Sequence, residues 1–198
     1  MWLNVGMNIG DNMYKPFISG MTLTFIAFGA LTLCAPPAPA KEAQAHMIHD
    51  INAEVNCLAD NIYWEARNQP VKGMLAVAMV TRNRVLDNRF PHTYCEVVHE
   101  GPTRPSWKDP TKYYPVKNRC QFSWYCDGKA EVVPAADKEL YVFMHAMAYK
   151  IYHGSLPDIT YGATHYHADY VKPAWRKSKT RTIQIASHIF YRWETNTN

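Results

Sequence analysis

The 198 residues carry 21 Lys and Arg against 17 Asp and Glu, a net charge of +4, and 47% of them are apolar. That length leaves one domain's worth of chain once a targeting segment is set aside, and the apolar share excludes a disordered chain. The Lys and Arg residues are scattered rather than gathered into a stripe, and so mild a basic balance fits an anionic polymer partner at least as well as nucleic acid.

Residues 1–46 read as an export signal or signal anchor with a Pro/Ala-rich linker, and residues 47–198 as the folded domain. Lys15 is the only cation before residue 41, an uncharged stretch follows from Phe17 to Ala35, and Pro36, Pro37 and Pro39 close it. These are the three regions of a secretory signal. Ala38 and Ala40, or Ala43 and Ala45, offer small-residue cleavage sites, while residues 17–35 are also long enough to span a bilayer if uncut. Leu33 ahead of Cys34 argues against lipidation. Export to the periplasm or cell wall is therefore expected, with a tether through residues 17–35 as the variant.

From Asn52 the pattern turns helical, with Val55, Leu58, Ala59, Ile62 and Ala66 at three- and four-residue intervals and Asp50 or Asn52 as the cap. Asn68, Gln69 and Pro70 end that helix, and Pro70 opens a second one, Val71 to Leu86, too apolar on every side for a surface position. Pro91 opens a short helix through Cys95 to His99. Residues 101–118, rich in Pro, Lys and Tyr without periodicity, read as a long loop suited to one wall of a cleft. A conventional amphipathic helix runs from Pro134 to about His153, and alternation at Thr164–Ala168 and Ile183–Ile185 predicts short strands. The fold class expected is mainly α (α+β), a single domain with a helical core, a few short strands and long cleft-lining loops.

With Cys34 in the signal, Cys57, Cys95, Cys120 and Cys126 remain, an even number in an exported chain, which points to two disulfides. Three connectivities exist; the short Cys120–Cys126 loop favours a local pair, leaving Cys57 with Cys95. The spacing lacks C-x-x-C, which disfavours zinc thiolates. Histidines are a second metal possibility: His165 and His167 share one side of a strand, with Tyr166 on the other, and His188 would complete a zinc site of an amidase or peptidase. No H-E-x-x-H accompanies them.

On a helical wheel Glu65 falls within roughly 20° of Leu58, on the flank of the apolar stripe. Burial there disfavours the ionised carboxyl and keeps a proton available, the property a general acid needs. A helix glutamate also commonly pairs with a base such as Arg67, so position alone does not assign a role. The run CLADNIYWEARNQPVKGMLAVAMVTRNRVLDNRFPHTYCEVV, followed in order by CQFSWYCDG, GATHYHADYVKPAW and IASHIFYRW, resembles the SleB-like cell wall hydrolases, the group that includes spore cortex-lytic enzymes. The resemblance implies a lysozyme-like domain that cleaves the glycan strand of peptidoglycan between MurNAc and GlcNAc, as a lytic transglycosylase or muramidase. It implies Glu65, the Glu before Ala-Arg, as the catalytic acid.

Where the family commonly continues with Gly and a second Glu, Asn68 and Gln69 stand here, and an amide cannot titrate. Either Glu65 serves as both acid and base, or Asp127 or Asp169 substitutes, or the protein is an inactive wall-binding module. Gln121, Phe122, Ser123 and Trp124, in the loop framed by Cys120 and Cys126, combine amide and aromatic groups suited to a sugar. In the resembling family this segment lines the cleft, and Tyr166 matches a position near the scissile bond. His165, His167 and Trp175 complete the expected substrate-binding set. No metal or cofactor is implied. The implied partner is peptidoglycan, with no nucleic acid and a monomeric chain; an uncut signal with Cys34 would resemble a phage endolysin held in the membrane until release.

Overall fold

The computed structural model describes residues 40–194. The expected signal thus falls largely outside the described residues, including all of the apolar stretch 17–35. Among the described residues, no helix is long and apolar enough to cross a membrane.

Helix α1 spans Ala40–Ala66, beginning twelve residues before the expected start at Asn52 and crossing the expected boundary at residue 46. The reason is local: Ala, Lys, Glu and Gln after Pro39 are good helix formers that need no apolar stripe to continue the helix. In its second half Val55, Leu58, Ala59, Ile62, Tyr63 and Ala66 are all buried, the i, i+3, i+4, i+7 stripe that packs on the rest of the core. Burying each large side chain contributes about 1.5–3 kcal/mol.

Helix α2 spans Val71–Val85, and its Gly73, Met74, Ala76, Val77, Ala78, Met79, Val80, Thr81 and Arg84 are buried. Its stretch from Gly73 to Val80 is apolar all round because it is covered on two sides. Met74, Val77, Ala78 and Met79 join α1 and the helix α4, Lys138–Tyr152, while Ala76 and Val80 face Ala163, Ile185 and Phe190 of the sheet region. Pro70 is the cap rather than a first-turn residue: its carbonyl accepts from the backbone of Gly73 and Met74 at 2.7 and 3.1 Å.

The short helix α3, Tyr94–Val98, is started by Thr93 and not by Pro91. The Thr93 hydroxyl accepts from the backbone N–H of Glu96 at 3.2 Å, which places a side-chain oxygen on an otherwise unpaired donor. The segment expected to be one long loop contains a hairpin, β1 (Thr103–Pro105) paired antiparallel with β2 (Tyr113–Pro115). It is largely exposed, so it carries no alternation by which a sequence pattern could announce it.

Strands β3 (His165–Ala168), β4 (Thr180–Ile185) and β5 (His188–Arg192) form an antiparallel sheet in the order β3-β5-β4. The register pairs Tyr166 with Phe190 and His167 with Ile189. Tyr166, His188, Phe190 and Ile185 therefore share the face turned to α2, and His165, His167, Ile189 and Tyr191 share the other. The expected α+β class, with helices in the core and a few strands, is what the structure has.

Both disulfides are present, Cys57–Cys95 and Cys120–Cys126. The first ties α3 to the middle of α1. It closes 38 residues, for which loop entropy alone amounts to about 4 kcal/mol. Replacing Cys57 and Cys95 together by Ser is expected to lower the urea midpoint by that order of stability; an unchanged midpoint would contradict a structural role for the bond.

Candidate active site

Glu65 occupies the last turn of α1. Ile62 and Ala66 on either side are buried, so the backbone is anchored and the carboxyl is held at the boundary between core and groove. Tyr166 donates its hydroxyl proton to Glu65 Oε2 at 2.8 Å, joining the end of α1 to β3 across 101 residues of sequence. Burial pushes the Glu65 carboxyl above the usual carboxylate range, against the opposing pull of the Tyr166 hydrogen bond and the charge of Arg84. The Tyr166 hydroxyl is driven well above its ordinary value, first by burial and then by the carboxylate beside it. It is a donor to Glu65 and not a competing anion.

Arg84 is the residue that the sequence reading missed. It is buried in α2, where its Nε donates to the Thr164 carbonyl at 2.8 Å, just ahead of β3. Its guanidinium lies over the rings of Phe122 and Phe90, 5.1 and 5.3 Å from their centroids. It thereby links α2, the entry to β3 and the disulfide loop behind the Glu65–Tyr166 pair. Among the described residues, its buried Nη1 finds no hydrogen-bond partner, and neither does Oε2 of Glu100. The available signal was an Arg one turn beyond the apolar run Met74–Val80 of the central helix, within the NRV run. A cation is kept at such a position only when something nearby uses its charge.

A cavity of about 350 Å³ opens beside Glu65, lined by Trp64, Arg67, Ser123, Trp124 and Asp127 among others. Trp124 stands on a buried chain of hydrogen bonds. Its Nε1 donates to Asn61 Oδ1 at 3.0 Å, Asn61 Nδ2 donates to Thr81 Oγ1 at 3.0 Å, and Thr81 donates to the Val77 carbonyl at 3.4 Å. Trp64 stacks on Trp124, with centroids 6.2 Å apart at 27°, and the Arg67 guanidinium covers Trp64 at 5.2 Å. Arg67 thus packs on aromatic faces and does not serve as an ion-pair partner for Glu65. The result is a rigid aromatic wall beside a carboxyl whose pKa burial raises.

The expected site residues divide into two groups. Glu65, Ser123 and Trp124 meet at the cavity, and Tyr166 reaches it through Glu65. Gln121 is exposed outside the lining, and Phe122 is buried beneath Arg84, so the disulfide loop points Phe122 into the core and Ser123 outward. His165, His167 and Trp175 gather on the far face of the sheet, with Trp175 5.3 and 5.7 Å from the two imidazole rings. His165 is pushed down to about 3 by burial and by the nearby Arg84. His167 accepts from Tyr191, its Nε2 lying 3.0 Å from the phenol oxygen, because its Nδ1 is committed to the Ala168 carbonyl. These three residues, expected to bind substrate, therefore lie outside the lining of the Glu65 cavity, on the other side of the sheet's alternation. That alternation sends Tyr166 alone toward Glu65. The zinc alternative fails on the same register, since His188 pairs opposite Ala168 and shares the Tyr166 face, away from His165 and His167.

Gln69 is held by Ser187, whose hydroxyl donates to Oε1 at 3.0 Å. Of the two carboxylates considered as substitutes, Asp127 lines the Glu65 cavity, while Asp169 lies on the outer face of the sheet with His167 and Tyr191.

Residues 68–191 match the family described as Cell Wall Hydrolase. The chain belongs to that family. The match begins three residues after Glu65. No curated protein matches this sequence significantly. Among solved structures, the catalytic domain of the Bacillus cereus SleB protein aligns at 24% identity with a TM-score of 0.51, over 70% of this chain and 89% of that one. The catalytic domain of the germination-specific lytic transglycosylase SleB from Bacillus anthracis aligns at 24% identity with a TM-score of 0.50, over 70% and 93%. The hydrolase therefore has the SleB catalytic fold and is an enzyme that acts on peptidoglycan.

Because Glu65 is raised by burial in the folded hydrolase, its contribution to stability is complete below the ordinary carboxylate range and is lost as pH rises through the raised value. Glu65→Gln, neutral at every pH, is expected to melt above the parent at neutral pH and to lose that advantage near pH ~3, where both are uncharged. Melting curves across pH check this, and a pH-independent difference would contradict it.

Proposed function

We propose that this hydrolase cleaves the MurNAc–GlcNAc bond of the glycan strand as a lytic transglycosylase, with Glu65 serving in turn as acid and base. The carrying observation is the half-buried Glu65 carboxyl, held by Tyr166 beside an aromatic-walled cavity. Glu65 delivers its proton to the bridging oxygen as the bond to the muramyl C1 breaks, and positive charge develops on the sugar. The carboxylate so formed is stabilised by the Tyr166 hydroxyl and by the charge of Arg84. It then takes the proton of the C6 hydroxyl of the same sugar as that oxygen closes on C1. The proton is back on Glu65, and the product is an anhydro-sugar.

Gln69 supports the single-acid reading, because no second titrating group stands where the family commonly has one. The lytic transglycosylase named in the Bacillus anthracis structure is consistent with the same product. Trp124, Trp64 and Ser123 are the residues proposed to hold the strand. Export and a cleaved signal are proposed to bring the domain to the wall.

A second reading has one observation behind it: Asp127 lines the same cavity and would serve as base toward water in a muramidase. Mass analysis of muropeptides separates the two, since the anhydro product is lighter by one water. Anhydro products are expected, and Glu65→Gln is expected to lose at least about 1,000-fold in rate. Reducing ends from the parent would overturn the transglycosylase assignment, and an active Glu65→Gln would overturn the acid.

Tyr166→Phe removes a hydrogen bond that favours the charged form of Glu65. The alkaline limb of the pH–rate profile should therefore move to higher pH, with the rate falling roughly 10- to 100-fold from lost orientation. A limb that stays in place would mean that Tyr166 does not act on Glu65.

A further inference from the structure

The chain's cations are not scattered once folded. Residues 170–193 hold six Lys and Arg and no Asp or Glu, while the remaining sequence has fifteen cations against seventeen carboxylates. The whole positive excess therefore resides in the segment that builds the edge and outer face of the three-stranded sheet. There Lys172, Arg176, Lys179 and Arg181 line a groove of about 340 Å³, together with Tyr191 and a single carboxylate, Asp169. Among the described residues, none of these four cations forms an ion pair within 4 Å. Lys179 lies over the Trp193 ring at 3.9 Å, and Arg181 donates to Gln184 at 3.0 Å, so both are positioned but not neutralised.

The groove is on the opposite face of the sheet from Tyr166 and Glu65, and no step of the cleavage reaction uses it. Its hydrogen-bonding character is one-sided. The Tyr191 proton is already given to His167, which leaves cationic N–H groups as the donors and Asp169 as the one charged acceptor. A ligand suited to it is rich in acceptors and poor in donors. A stem peptide, with amide and amine N–H groups beside each carboxylate, meets that requirement badly. A phosphodiester chain, which carries an anion at every repeat and no N–H in its backbone, meets it well.

We propose that this groove binds a phosphodiester polymer of the cell envelope and holds the enzyme against the wall independently of the glycan in the cleft. The test uses the full chain carrying Glu65→Gln, which cannot degrade what it binds, and soluble poly(glycerol phosphate) as the probe. Binding is expected to weaken steeply with salt, and Lys172→Gln/Arg176→Gln/Lys179→Gln/Arg181→Gln is expected to lose at least about tenfold in affinity. The milder Lys172→Gln/Arg181→Gln pair, both exposed, should show an intermediate loss and serves if the fourfold variant does not fold.

In a background with Glu65 intact, the same pair should cleave a short soluble glycan at the parental rate. Equal affinity of parent and variants for the probe would overturn the proposal. So would tighter binding to phosphate-free peptidoglycan, duplex DNA or anionic vesicles than to the phosphodiester chain. An active Glu65→Gln would remove the catalytic assignment and leave this one standing.

Discussion

The hydrogen bond from Tyr166 to Glu65 is the point at which the two halves of the structure meet. Helix α1 brings a carboxyl to its last turn, and β3 brings a phenol down onto it. For the pair to form, α2 must sit between the helices and the sheet with apolar side chains facing both ways, which is why so much of that helix is buried. The core that the carboxyl borders raises its pKa, and its ionised form is supported by Tyr166 and Arg84. A group that gives and then recovers a proton needs both influences: burial favours the acid, and a nearby donor and cation favour the base.

The cavity beside this pair is built by a different route. A disulfide loop, closed between Cys120 and Cys126, turns Phe122 inward beneath Arg84 and presents Ser123 and Trp124 outward. Asn61, one turn of α1 before Glu65, reaches Trp124 with one end of its amide and Thr81 of α2 with the other. Acid and aromatic wall are thus fixed from the same stretch of helix, so that their spacing does not depend on a flexible loop.

How far this was legible in the sequence depends on how much of each feature is local. The apolar stripe from Val55 to Ala66 and the apolar run at the centre of α2 announce themselves in the pattern, while the role of Glu65, on the flank of that stripe, came only from the resemblance to the SleB-like hydrolases. The N-terminal part of α1 could not be read that way, because from Ala40 it rests on propensity without a stripe. The Thr103–Pro105 and Tyr113–Pro115 hairpin was hidden because its strands are three residues long and exposed. Alternation correctly divided His165 and His167 from Tyr166, but a period of two cannot say which side faces the core. All three were therefore expected at the substrate, while the structure turns only Tyr166 toward Glu65. Arg84 was hidden because its partners, Thr164, Phe122 and Phe90, come from three separate segments. The basic groove, in contrast, was present in the sequence as a run of cations without acids, diluted by averaging the charge over the whole chain.

Everything in this account depends on Glu65 holding its proton where other glutamates have lost theirs. The direct measurement is a carboxyl-carbon NMR titration of the protein labelled at Glu, with Glu65→Gln identifying the resonance. One glutamate titrating above the ordinary range of about 4.3, and moving further up in Tyr166→Phe, is the predicted result. A Glu65 signal that titrates with the surface glutamates would contradict the account, since the carboxyl would then be ionised throughout the range in which it is required to act as an acid.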